Sequence, residues 1–186
     1  MSCAGKLSYS VREANKLRKQ FDNEEKNNIR KYLFKLIENH PRDVKNQSMF
    51  VLDLWGGGLF SDYILDHDAN VQNQSGYVLY EIDSDKKLFP ALKDYANRKN
   101  HFKLVKNHDP TVFPFCGNLA NFIHRQYVKN HRRFDLVWLD YCKTIGKEEL
   151  EDIKLVKQIT DSNSIIAISF FTLENNPNKR VWKMKR

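Results

Sequence analysis

Five short apolar runs, each set off from the next by a longer polar segment, constrain this chain more than any other feature. They cover residues 49–55, 76–82, 101–106, 134–140 and 164–171, and each is too short for a core helix but the right length for a buried strand. The segments after the first four read as helices, over 61–67, 86–99, 118–130 and 147–160. In the third of these, Leu119, Phe122, Ile123 and Tyr127 fall on one face. Pro90 is awkward inside the second and is expected to start that helix or kink it. Strands and helices alternating at this spacing imply βαβ units, hence a mostly parallel sheet covered on both faces. Right-handed crossovers leave few topologies, and the expectation is an α/β, doubly wound sheet of order 3-2-1-4-5.

A helical segment precedes this pattern. Ser10 and Glu13 have the spacing of a capping box, in which hydroxyl and carboxylate satisfy each other's backbone N–H groups. Apolar residues follow at Leu17, Phe21, Ile29, Leu33, Leu36 and Ile37, and Pro41 closes the segment. Residues 22–28 are polar enough to suggest a break between two helices. The segment is expected to pack on the sheet and cover an edge, with Val181, Trp182 and Met184 as a short added strand, or a second subunit, as the alternatives. A chain of 186 residues with 41% hydrophobic and 29% charged residues has the composition of one globular domain. It divides into a helical segment (1–45), an α/β core (46–172) and a basic tail (173–186).

Composition also excludes several classes. No apolar run approaches the ~20 residues of a membrane helix, and the first residues lack a signal peptide's apolar stretch. Cys3, Cys116 and Cys142 are odd in number and widely spaced, which speaks against a disulfide framework or a zinc knuckle. The expectation is an intracellular, cytoplasmic protein with no membrane partner and no metal. The net charge of +8 is uneven: residues 1–48 hold 11 basic against 6 acidic groups, residues 101–134 hold 6 against 1, and residues 173–186 hold 5 against 1. The two remaining stretches are net acidic. Such clustering favours a polyanionic partner.

Ligands of doubly wound sheets bind outside the carboxyl ends of the strands, so the residues closing each run carry the most information. The first closes with Asp53 and then Gly56, Gly57 and Gly58, which admit a close backbone approach. Asp53 would repel a pyrophosphate, and the third glycine of a dinucleotide fingerprint is missing; a cationic or zwitterionic ligand fits better. The second closes with Glu81, able to accept from a ribose diol, and Ile82, able to pack on an adenine face. The third run leads to Asp109, a candidate partner for an adenine amino group, although Asp109-Pro110 also suits a plain turn. The fourth closes with Asp140, Tyr141 and Cys142, which together resemble a catalytic loop.

In this order the strand ends resemble the class I S-adenosylmethionine (SAM)-dependent methyltransferases. Residues 51–58 look like the family's glycine-rich motif, with Trp55 where its first glycine stands; the Asp-Leu-Phe-x-Gly variant of some nucleic-acid methyltransferases is closer. Glu81 matches the ribose-binding acid, Asp109 the adenine-contacting acid, and residues 134–141 the motif that holds the methyl acceptor. Asp140-Tyr-Cys-Lys143 lacks the prolines of amino-group methylases and shares Asp140 and Thr144 with a segment of tRNA guanine-N2 methyltransferases. Few residues follow Phe171 for the family's last two strands, so a shortened carboxyl-terminal part is expected.

The resemblance implies a Rossmann-like methyltransferase fold and SAM as cofactor. Asp53 would hold its amino-acid part, Gly56–Gly58 would give backbone access, and Glu81, Ile82 and Asp109 would hold its nucleoside. Asp140 would accept from an exocyclic amine and Tyr141 would stack on the base. With the basic segments, the reading is a methyltransferase for nucleic acid, RNA ahead of DNA. The alternatives are an inactive SAM-binding accessory subunit, a methyltransferase for a protein or small molecule, and a plain nucleic-acid-binding protein. Cys142 leaves open a covalent attack on a pyrimidine, with Lys143 lowering its pKa, or a buried inert thiol.

Overall fold

The computed structural model describes residues 12, 15, 16, 18, 19, 22–40, 48–55, 58–68, 77–104, 112–141 and 144–170. The capping box at Ser10 and the tail after Phe170 lie outside them. Five strands, β1 (Met49–Leu54), β2 (Tyr77–Asp83), β3 (Val112–Cys116), β4 (Leu136–Asp140) and β5 (Ile165–Ser169), form one parallel sheet in the order β3-β2-β1-β4-β5. This is the expected order.

Strand residues alternate between two cores. Met49, Val51, Tyr77, Leu79, Leu136, Trp138 and Ala167 face one side, and Leu52, Tyr80, Ile82, Val137, Leu139 and Ile168 face the other. Helices α1 (Glu24–Glu38), α2 (Leu59–Asp68) and α3 (Phe89–Leu104) cover the first face. Helices α4 (Leu119–Asn130) and α5 (Lys147–Val156) cover the second. Pro90 lies in the first turn of α3, where its missing N–H costs nothing.

Helix α1 starts at Glu24 because the Asn23 side chain accepts from the Lys26 backbone N–H at 3.0 Å. Residues 24–28 therefore belong to the helix, and the expected break does not extend over them. Leu33, Phe34 and Ile37 are buried in the first core, Phe34 beside Tyr63 of α2 and Tyr77 of β2, so α1 covers a face of the sheet and not the expected edge. Its far end is tied by a 2.6 Å hydrogen bond between His40 Nε2 and the Asn163 carbonyl, just before β5. The helix thus runs antiparallel to the strands, and its first turns lie over their carboxyl ends.

One expected strand is wrong. Residues 101–104 continue α3, and the third strand is Val112–Cys116. Pro114 hid it, since proline argues against a central strand; among the described residues β3 pairs with β2 alone and tolerates it as an edge. Asp109, itself outside the described residues, therefore precedes β3, and the carboxyl end it was expected to occupy belongs to Cys116 and Gly117. The reading of Asp109 as an adenine partner loses its premise.

Candidate cofactor and acceptor site

Asp53 and Glu81 stand side by side in register near the ends of β1 and β2, on the face covered by α1–α3. Both are buried, at 5% and 0% exposure. Glu81 Oε1 accepts a hydrogen bond from Ser61 Oγ on α2, whereas Glu81 Oε2 and Asp53 Oδ1 have no partner among the described residues. Two orphaned carboxylate oxygens inside a core cost free energy that a polar ligand would return. Burial pushes the Glu81 carboxyl up to about 8, against the Ser61 hydrogen bond, with Asp62 and Asp83 adding. Burial likewise holds Asp53 well above the usual carboxylate range, with Glu81 and Asp140 adding and Arg30 and Lys26 opposing.

Gly58 closes the turn between Asp53 and α2, and its φ of +78° suits glycine. A Cβ there would come within 2.6 Å of the Tyr95 ring. The Tyr95 hydroxyl braces this turn, at 3.1 Å from the Gly58 carbonyl and 3.0 Å from Asp62 Oδ1. Asp62 in turn pairs with Arg18 and, at 2.5 Å, with Lys99 Nζ. Gly56 and Gly57 lie outside the described residues.

Asp140, at the end of β4, faces the same side. Its Oδ1 accepts from Ser169 Oγ at 2.5 Å, and Trp138 Nε1 donates to that Ser169 oxygen at 3.3 Å. Its Oδ2 pairs with Lys26 Nζ, both side chains more than nine-tenths buried. Arg30 lies one turn further along α1 and is also buried, its Nη1 donating to Asn27 Oδ1 at 2.6 Å. A small recess lies between these groups, lined by Arg30, Asp53 and Asp140 with Leu59, Phe60 and Trp138.

The structure thus brings together Asp53, Gly58, Glu81 and Asp140, and turns Tyr141 and Ile82 away. Tyr141 follows Asp140 by one residue and so points to the opposite face. It is buried at 8% exposure, its hydroxyl 3.3 Å from Asp152 Oδ2 on α5, and it presents no ring to a base. Ile82 is turned away for the same reason and packs in the second core. Cys142 and Lys143 lie outside the described residues.

Sequence reasoning missed Lys26 and Arg30, along with Ser61, Tyr95, Trp138 and Ser169. A signal for the first two existed: residues 26, 30, 33, 34 and 37 form one helical stripe, so the two cations extend the apolar face into the site.

No protein-family model and no curated protein matches the sequence. Among solved structures it is similar to the O-methyltransferase from Bacillus cereus in complex with S-adenosylhomocysteine (SAH), with a TM-score of 0.56 at 10% identity, covering 89% of this chain and 68% of that one. It is similar to the O-methyltransferase TomG from Streptomyces achromogenes in complex with SAM (TM-score 0.53, 14% identity, 88% of this chain and 66% of that one). A third is the plantazolicin methyltransferase BpumL in complex with a triazolic desmethylPZN analogue and SAH (TM-score 0.52, 15% identity, 88% of this chain and 55% of that one). The chain has the Rossmann-like fold of SAM-dependent methyltransferases and spans about two thirds of the first two proteins and about half of the third.

Proposed function

We propose that this protein is a SAM-dependent methyltransferase that modifies nucleic acid, RNA ahead of DNA. The observation that carries the cofactor reading is the pair of buried, adjacent carboxylates, each with an orphaned oxygen, at the ligand-binding end of a methyltransferase fold. SAM supplies an electrophilic methyl group on a sulfonium, which a nucleophile takes by direct displacement. The chain's own residues therefore have to bind, align and exclude water. Glu81 Oε2 suits a ribose hydroxyl, and Ser61 keeps the other oxygen fixed. Asp53 suits the ammonium of the amino-acid part, whose charge would favour its ionised form. Gly58 lets that backbone turn come close. Asp140, oriented by Ser169 and Lys26, offers a carboxylate to an amine N–H of the acceptor.

The acceptor reading rests on charge. From Thr111 to Phe134 the sequence has no Asp or Glu, and it includes the exposed His124, Arg125, His131 and Arg133. His124 and Arg125 on α4 suit phosphates, which position a strand, while Asp140 suits an amine of one base; Arg133, donating to the Gln158 and Thr160 carbonyls ahead of β5, lies toward the amino ends of the strands, away from Asp140. A base must be unstacked to reach Asp140 at the strand end, which single-stranded RNA allows at least cost.

The test joins calorimetry with SAH to labelled-methyl transfer on total RNA and on DNA. We expect SAH to bind, Glu81→Ala to weaken it by about 1–3 kcal/mol, and label to enter RNA. SAH binding with label only in proteins or small molecules would replace the acceptor. Absence of SAH binding would remove the cofactor.

A further inference from the structure

We propose that the flank formed by β3 and α4 is a stacking platform for single-stranded nucleic acid, with Phe113 taking a base and His124 and Arg125 its phosphates; this deepens the acceptor reading above and rests on it. Phe113 lies on the second face of the edge strand and is 39% exposed. One side of its ring rests on Tyr80, with 20° between the planes and 5.1 Å between centroids. Tyr80 is held in turn by Arg132, which donates to its hydroxyl and lies 5.6 Å from its ring centroid. Two residues on, Phe115 packs edge-on to Phe122 of α4 and carries the exposed Arg125 5.7 Å from its ring centroid.

An isolated exposed phenylalanine would need no explanation, but here charge and backbone point the same way. The sequence from Thr111 to Phe134 holds no acid, and His124 and Arg125 are exposed on the helix beside the rings. Asp83, paired in register with Cys116, alternates to the other face with Glu81. A flat π-surface next to cations matches a base and its phosphates. An added protein strand fits poorly, because the edge itself is closed. The Gly117 N–H donates to the Asp83 carbonyl at 2.9 Å, so alternation turns the backbone groups of Val112 and Pro114 outward. Asn100 of α3 already takes both groups of Val112, at 2.9 and 2.8 Å, and Pro114 has no N–H. A duplex keeps its bases stacked on one another, whereas a single strand can lay one on Phe113. The ring is already fixed on Tyr80, so binding orders little.

The experiment follows fluorescence anisotropy of a labelled single-stranded RNA, the same sequence as DNA, and the duplex, each titrated with the full chain. Both single strands should bind more tightly than the duplex. Phe113→Leu, which keeps an apolar side chain on Tyr80, should weaken single-strand binding about 5- to 100-fold and leave its salt slope unchanged. Phe113→Trp should restore the affinity, since it returns a π-face. Arg125→Glu should instead flatten the salt slope. A 2-aminopurine base in the strand should be quenched by wild type and by Phe113→Trp, but not by saturating Phe113→Leu. Equal single-strand affinity for wild type and Phe113→Leu would overturn the platform and leave the nucleic-acid acceptor standing. A duplex bound as tightly as the single strands would do the same. Failure of the wild type to bind any oligonucleotide would overturn the acceptor reading and the inference with it. Binding of an apolar peptide in their place would make this flank a protein-docking surface, which also overturns the inference.

Discussion

Glu81 shows what a ligand site costs the residue that makes it. Its carboxyl, raised by burial to about 8 from an ordinary 4.5, keeps a proton in the folded protein that the unfolded chain has already released. Between these two values the folded state binds more protons, so this group makes stability fall as pH rises, by up to about 1.4 kcal/mol per unit. Above about 8 both states are ionised and the fall ends. Asp53 adds a decline of the same sign. Melting curves of ligand-free protein from pH 5 to 9 should show the decline, and Glu81→Gln should flatten it and melt above wild type at pH 8. Identical slopes would mean that Glu81 titrates normally. At Gly58, alanine meets both an unfavourable φ and the Tyr95 ring, which should cost about 1–3 kcal/mol in urea unfolding. Tyr95→Phe, losing only the hydroxyl bonds, should cost about 0.5–1.5 kcal/mol.

At the scale of the element, α1 decides whether the site is closed. Its carboxyl half anchors it with apolar groups, and its first turns carry Lys26 and Arg30 over the strand ends. The Lys26–Asp140 pair is more than nine-tenths buried on both sides, so removing one partner strands a charge in the core. Lys26→Met and Asp140→Asn should each destabilise by about 3–5 kcal/mol. The double variant should recover most of that loss, and urea unfolding of all four proteins measures the coupling. Additive losses would show that the pair is not the source. Leu33→Ala, by contrast, should cost about 2–5 kcal/mol with no recovery from a change at Asp140.

Across the whole molecule, charge divides by flank. Helix α4 and the turn after it carry His124, Arg125, His131, Arg132 and Arg133, while neighbouring α5 opens with Glu148, Glu149, Glu151 and Asp152. A nucleic acid would follow the first and avoid the second. Binding should then weaken with salt, with a log–log slope of about −0.7 to −0.9 per phosphate neutralised. Arg125→Glu should flatten the slope and leave SAH affinity unchanged. A slope near zero in filter binding would remove the nucleic-acid acceptor. Among the described residues no helix is long and apolar enough to cross a membrane.

The order of strands and the two carboxylates at the switch point were legible because local patterns write them. A run closing on Asp53 and the glycine turn, and another closing on Glu81, need only the period of a strand and the connection rules of parallel sheets. The third strand was not legible, since Pro114 breaks the local pattern and only its place at the sheet's edge makes it tolerable. Tyr141 and Ile82 sat at the right positions in the chain, but the pleat turns them to the other face. Lys26 and Arg30 lie far from Asp53 and Asp140 in sequence, and polar residues at the start of a helix read as solvated. Only packing α1 across the sheet, driven by Leu33, Phe34 and Ile37, buries those cations beside the carboxylates. The helical stripe marks the face on which Lys26 and Arg30 lie, but which charges they meet in a low-dielectric recess is a property of tertiary contact.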